Sequence, residues 1–246
     1  MTRRVFRENW ALVLLFAVWE IWVLSAHYNS IVAVTPIAVI GDMARHPITY
    51  AGPAFWTLGF ALCGLAGGLF LGLALAIAAW RSQILSGMVS PAALLLSSTP
   101  IVCLIPLLAR IFGYESRTEF VTIAIMTFFP AFVFASQGLR ALPPMSDELF
   151  SALAASRSKR LLFLALPAAM PSLAVALRVG AGYSILVAMV SEYLMQTGGL
   201  GNMFALSSQA FQTERAWGAS LTAMILSVLL YTASNAAEKQ IRLRYS

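Results

Sequence analysis

Long apolar runs, one after another, constrain this chain more than any other feature. A helix crossing hydrocarbon needs about 20 mostly apolar residues. Six stretches come close to or exceed that length, roughly 9–27, 54–80, 88–109, 119–139, 168–195 and 216–237. Of the 246 residues 60% are hydrophobic and 11% are charged, whereas a soluble domain carries about a quarter charged residues. Too little polar surface exists to cover a globule in water. The expectation is an all-α membrane protein with about six transmembrane helices, in one domain over 1–246. The start, "MTRRVFRENWALVLLF", is basic like a signal peptide. It lacks an A-x-A-type cleavage site, and Glu20 interrupts the run, so it reads as a retained first span.

Six spans return the C-terminus to the side of the N-terminus. With both termini inside, the inner segments hold Arg3, Arg4, Arg7, Arg81, Arg140, Arg157, Lys159, Arg160, Lys239, Arg242 and Arg244. The outer loops hold only Arg45, Arg110, Arg117 and Arg215, and Arg178 falls within a span. This asymmetry predicts cytoplasmic termini by the positive-inside rule. It also explains the net charge of +6 through the anionic inner leaflet of a lipid bilayer, with no nucleic-acid partner.

Gly64, Gly68 and Gly72 form small-xxx-small pairs that let helix backbones approach closely, in internal packing before any subunit contact. Ser98, Thr99, Pro100 and Pro106 mark a broken third span that lines packed protein or a pathway. Cys63 and Cys103 have no CxxC spacing and read as small buried hydrophobes, and His27 and His46 stand apart, so no metal cluster is expected. No HExxH, GxSxG or aspartate pair occurs. Without a P-loop, ATP hydrolysis cannot reside on this chain, and the chain is expected not to be an enzyme. Arg178 and Glu192 are the ionisable residues deepest in the spans, and 14 residues of one helix separate them, too far for pairing. Such charges mostly pair within the protein. Arg178 either snorkels or serves a pathway, and Glu192 is better suited to holding the turn at 198–201 than to touching a solute. Glu20 has no evident partner.

One cationic stretch, "DELFSALAASRSKRLLFLALP" (147–167), interrupts the oily pattern. Pro143-Pro144 stops what precedes it, Ser146 can cap a helix, and Asp147 and Glu148 complement the helix N-terminus. Leu149, Phe150 and Leu153 make an apolar face, and Pro167 is placed in the first turn of the fifth span. Composition allows either a surface-lying amphipathic helix or a docking element.

The stretch resembles the cytoplasmic EAA loop of ATP-binding-cassette (ABC) importer permeases. In that pattern E-A-A is followed by three residues, Gly, nine residues, an aliphatic, any residue and Leu-Pro. Glu148 takes the acid, Leu149 and Phe150 the alanines, Ala154 the glycine, Leu164 the aliphatic, and Leu166-Pro167 the closing pair. The double alanine and the glycine are lost. "ALRVGAGYSILVAMVSEYLMQTGGLGNM" is similar to the fifth-span region of the sulfonate, taurine, nitrate and pyrimidine-precursor branch, through Leu177-Arg178, Gly182, Glu192 and Gly199-Leu200-Gly201. "SSTPIVCLIPLLARIFG" and "FFPAFVFASQGLRALP" resemble the same branch, and the likeness covers about residues 50–240.

The resemblance implies a type I ABC importer permease fold with 147–165 as the coupling helix. Leu149, Phe150 and Leu153 would be its anchors and Glu148 and Arg157 its rim. It implies a second permease subunit (in a homodimer or heterodimer), a cytoplasmic ABC ATPase dimer, and a periplasmic or lipid-anchored substrate-binding protein. No cofactor is expected on this chain, with ATP and Mg on the partner ATPase, in the bacterial inner membrane. Ala154 puts the usual turn in doubt, because only glycine takes positive φ freely. The outward loops at 40–53 and 198–215 are where a binding protein would meet the chain. The competing expectation is an ATP-independent secondary transporter or channel, whose inverted repeats would show as paired broken helices.

Overall fold

The computed structural model describes residues 2–245. The side chains of Asp147 and of the terminal cations Arg3, Arg4 and Arg7 fall outside what it describes. Every regular element among the described residues is a helix, with no strand. In order come α1 (Thr2–Ser25), α2 (Pro36–Arg45), α3 (Pro47–Arg81), α4 (Gln83–Ser98), α5 (Ile101–Phe112), α6 (Ser116–Arg140), α7 (Ser146–Ala152) and α8 (Arg157–Arg160). A π-helical turn at Leu161–Ala165 joins α8 to α9 (Leu166–Met195), and α10 (Gly199–Gln209) and α11 (Thr213–Tyr245) complete the chain.

Four helical stretches are long and apolar enough to cross a membrane: Pro47–Arg81, Ser116–Arg140, Arg157–Met195 and Thr213–Tyr245. The pair α4 and α5 makes a fifth candidate if taken as one span, bent by 108° between Leu96 and Ile101. The apolar part of α1, Val13–Ser25, is shorter than a crossing helix. Against the expected six, the described residues thus hold four such helices, or five if the broken pair is one span. Phe55, Phe70, Leu186 and Leu229 point outward from these helices, as lipid-facing side chains do.

The glycines of α3 account for its tightest packing. A Cβ at Gly64 would strike Ile123, one at Gly68 the Thr127 hydroxyl and the Ala124 carbonyl, and one at Gly72 Ala131. These residues lie on α6, so the small-residue seam is an internal α3–α6 contact. α9 packs beside α6 and α3, and α11 beside α9. Ala61, Ile123, Ile185, Val187 and Leu200 fill the centre at 1% exposure or less. Cys63 and Cys103 are exposed, not buried, because each stands on the outward side of its helix.

The break in the third span sits at Pro100, the N-cap of α5. Proline cannot donate to the carbonyls before it. Ser98 and Thr99 donate their hydroxyls instead, to Leu94 O and Leu95 O at 3.0 Å each. Pro106 lies inside α5 without ending it.

Candidate functional site

The cationic segment folds as two short helices around a turn. Met145 caps α7 with φ +61. Ser146 is the first helical residue, and its hydroxyl donates back to Pro143 O at 2.6 Å, so it holds the preceding loop and does not cap. The helix ends in a Schellman motif, with Ala154 N–H donating to Ser151 O and Ala155 N–H to Phe150 O, both at 3.0 Å. Ala154 takes φ +48 there. The glycine position of the pattern therefore keeps its left-handed turn with alanine in it. Met145, Leu149 and Leu153 follow one another at i, i+4 and i+8, and all three are exposed, at 76%, 58% and 68%. Phe150 is half-buried, off this stripe, while Glu148 and Arg157 are exposed.

Ser156 caps α8 by accepting from Lys159 N–H at 3.4 Å. The fifth span was expected to begin at Pro167, but its helix begins ten residues earlier, at Arg157. The π-turn explains the continuity. Leu166 N–H reaches back five residues to Leu161 O, which widens the backbone just before a proline that lacks a donor. Leu164, Leu166 and Pro167 are half-buried in this junction, with Leu161 and Ala165 packed behind them. Arg81 Nη2 donates to Ser158 Oγ at 3.1 Å, and Arg140 Nη2 to Ser86 Oγ at 2.9 Å. These bonds join the α3–α4 corner to the segment and to α6.

At the opposite end of α9, Glu192 is fully buried. Its Oε2 accepts from Thr57 Oγ1 at 2.9 Å and from Gly201 N–H at 2.8 Å. Thr57 Oγ1 in turn accepts from Leu200 N–H at 2.9 Å. Gly198, the N-cap of α10, has no side chain to cap with. A carboxylate from α9 and a hydroxyl from α3 do it instead, at the positive end of the helix dipole. Gly199 and Gly201 permit this approach: a Cβ on the first would overlap the Glu192 carboxylate, and on the second the Met189 carbonyl.

Beside Glu192 lies Glu119, also fully buried, which accepts from Thr197 Oγ1 at 3.2 Å. Nothing in its neighbourhood of sequence singled it out. It opens an apolar run next to a polar loop and reads there as a helix-start acid, and the only signal was an acid in the first turn of a span. The turn bonded to the pair lines a cavity of about 560 Å³ through Thr197, Gly198 and Gly199, together with Thr49, Trp56, Asn202, Gln212 and Arg215. The segments 40–53 and 198–215, largely helical rather than loops, both contribute to its lining. Arg215 Nη2 lies 3.7 Å from Asp42 Oδ1, and Tyr50 donates its hydroxyl to the same carboxylate.

Arg178 does not pair with Glu192. Its Nε lies 2.7 Å from Glu238 Oε2 on α11, with Tyr231 OH at 3.3 Å from Nη1. Glu238 is 5% exposed and also accepts from Arg242 Nε at 2.9 Å. Glu238 was missed because it sits in a tail that reads as cationic. Glu20 has a partner too, since its Oε2 accepts from Ile37 N–H at 3.3 Å, at the head of α2.

A profile described as "Binding-protein-dependent transport system inner membrane component" matches residues 68–245. A probable ABC transporter permease protein of Haemophilus influenzae is 25% identical over 217 residues, covering 88% of this chain and 89% of that one. A putative aliphatic sulfonates transport permease of Bacillus subtilis (strain 168) is 23% identical over 205 residues, 82% of this chain and 74% of that one. Among solved structures, a chain of the MetNI methionine ABC transporter superposes with TM-score 0.64 at 17% identity, over 81% of this chain and 98% of that one. The fold is shared with ABC importer permeases, and the chain belongs to the family of binding-protein-dependent transport system inner membrane components, as a permease subunit of an ABC transporter.

Proposed function

We propose that this permease forms, with a second permease subunit, the pathway of an ATP-driven importer in the bacterial inner membrane. A cytoplasmic ATPase dimer drives it through residues 147–165, and ATP and Mg are bound on that partner. The observation that carries this reading is the exposed stripe Met145, Leu149 and Leu153 on a helix held at both ends. Lipid would accept such a stripe, but Glu148, Arg157 and Lys159 flank it. An apolar centre with a charged rim fits a protein groove. A helix so fixed transmits a rigid-body push to the spans it joins.

A solute would arrive from a binding protein seated over the cavity between 40–53 and 198–215. Its class is proposed as the small anionic or heterocyclic solutes for which this branch of relatives is named, including aliphatic sulfonates. The excess of Lys and Arg near the termini and in 157–160 supports a cytoplasmic position for the proposed coupling segment and both termini.

Co-purification with the ATPase encoded beside this chain tests the coupling. Leu149→Asp and Leu153→Asp are expected to release the ATPase while leaving the permease monodisperse. Phe150→Asp is the weaker probe, since Phe150 is half-buried and its loss would disturb the fold. Uptake without ATP by a permease that purifies alone would replace this reading with that of a secondary transporter or channel.

A further inference from the structure

Glu119 and Glu192 meet inside the bundle with no exposed surface on either. Each satisfies its Oε2, from Thr197 in one case and from Thr57 and Gly201 in the other. The two carboxyl groups are neighbours in the interior of the bundle. Each leaves its Oε1 completely buried with no donor. Two neighbouring carboxylates cut off from water would repel strongly, and both charges would be desolvated.

The groups that face the pair are the Thr57 hydroxyl from α3, the Thr197 hydroxyl from the turn, the Gly201 amide from α10 and the Trp56 indole from α3. None carries a positive charge. Arg215, which lines the same cavity, is engaged by Asp42 and by Gln212. One donor shared by the two carboxyls would relieve the deficit of the two orphaned acceptors. A proton does this without needing room, and it turns the repulsion into a charge-assisted O–H···O bond.

We propose that Glu119 and Glu192 form a binding site for a single proton, which latches the 197–201 turn and the head of α10 to α3, α6 and α9. The latch does not depend on which solute is carried. Loss of the proton leaves two like charges in contact. The side that can yield is the glycine turn, since Thr197, Gly198 and Gly199 line the cavity.

Infrared spectroscopy of the full chain in lipid nanodiscs at neutral pH is the test. The wild type is expected to show one protonated-carboxyl C=O band that shifts in deuterium oxide. Glu119→Gln places an amide N–H where the proton sat, keeps the shape, and is expected to abolish that band. A spin label at Ser208→Cys on α10, with Cys63→Ser and Cys103→Ser, reads the latch. Alkaline pH is expected to mobilise the label in the wild type and not in Glu119→Gln. No band in the wild type overturns the proposal, as does a band that survives Glu119→Gln. If that variant does not accumulate, the wild-type band and label transition decide together. Label mobility that follows sodium concentration at fixed pH would assign the site to a metal cation and overturn the proton.

Discussion

Gly199 stands at φ +73 with the Glu192 carboxylate where its side chain would be. The first disfavours an L side chain, and the second leaves no room for one. Gly199→Ala is expected to cost about 1–2 kcal/mol for the left-handed backbone alone, and more for displacing a buried carboxyl from its donors. A lowered unfolding temperature in detergent, with α10 exchanging amide hydrogens faster, is the expected readout. Ala154 is the reverse case, an L residue already in the left-handed region at the close of α7. Ala154→Gly is expected to keep the Schellman turn and retain the ATPase on co-purification. Ala154→Val is expected to weaken that retention, since a β-branched residue at positive φ is a steric outlier. The sequence alone raised the right question at Ala154 and pointed to Glu192, because both occupy marked positions in a pattern. It was silent on Glu119, whose meaning comes entirely from a partner 73 residues away on another helix.

Helix seams follow from the small residues more directly. Gly59 has open space around its missing Cβ, whereas Gly68 abuts Thr127 and the backbone of Ala124 and Phe128. Gly68→Leu is therefore expected to destabilise by ~1–3 kcal/mol or more through overpacking, while Gly59→Leu on the same helix stays within about 0.5 kcal/mol. Thermal unfolding of the two variants side by side checks this, and equal effects would remove α3–α6 packing as the cause. The apolar interiors of α3, α6, α9 and α11 were legible because hydropathy depends only on neighbours in sequence. Their ends were not. α3 starts seven residues before the apolar run at 54, and the fifth span starts ten residues before Pro167. Proline was read as a first-turn residue, but a π-turn lets it sit inside a continuous helix, and periodicity carries no sign of that.

The helix from Arg157 to Met195 spans 39 residues, roughly 58 Å at about 1.5 Å per residue, nearly twice a hydrocarbon core of about 30 Å. One end is the cationic segment proposed to couple to an ATPase, and the other carries Glu192, a member of the proposed latch. Between them Arg178 ties this helix to Glu238 on α11. A rod fixed at both ends and braced in the middle moves as one body, so a displacement at its Arg157 end must be admitted or resisted at the glycine turn. Thr57→Val removes the hydroxyl that bridges Glu192 and Leu200, two bonds worth about 0.5–1.5 kcal/mol each. In proteoliposomes holding the whole transporter, it is expected to raise ATP hydrolysis without solute by roughly fivefold or more, the effect of losing ~1 kcal/mol of coupling between sites. Solute-dependent stimulation should shrink by a similar factor. If basal hydrolysis stays at the wild-type rate while the 197–201 turn is loosened by hydrogen exchange, the rod does not carry the signal, and the α3–α4 corner held by Arg81 and Ser158 becomes the route to examine.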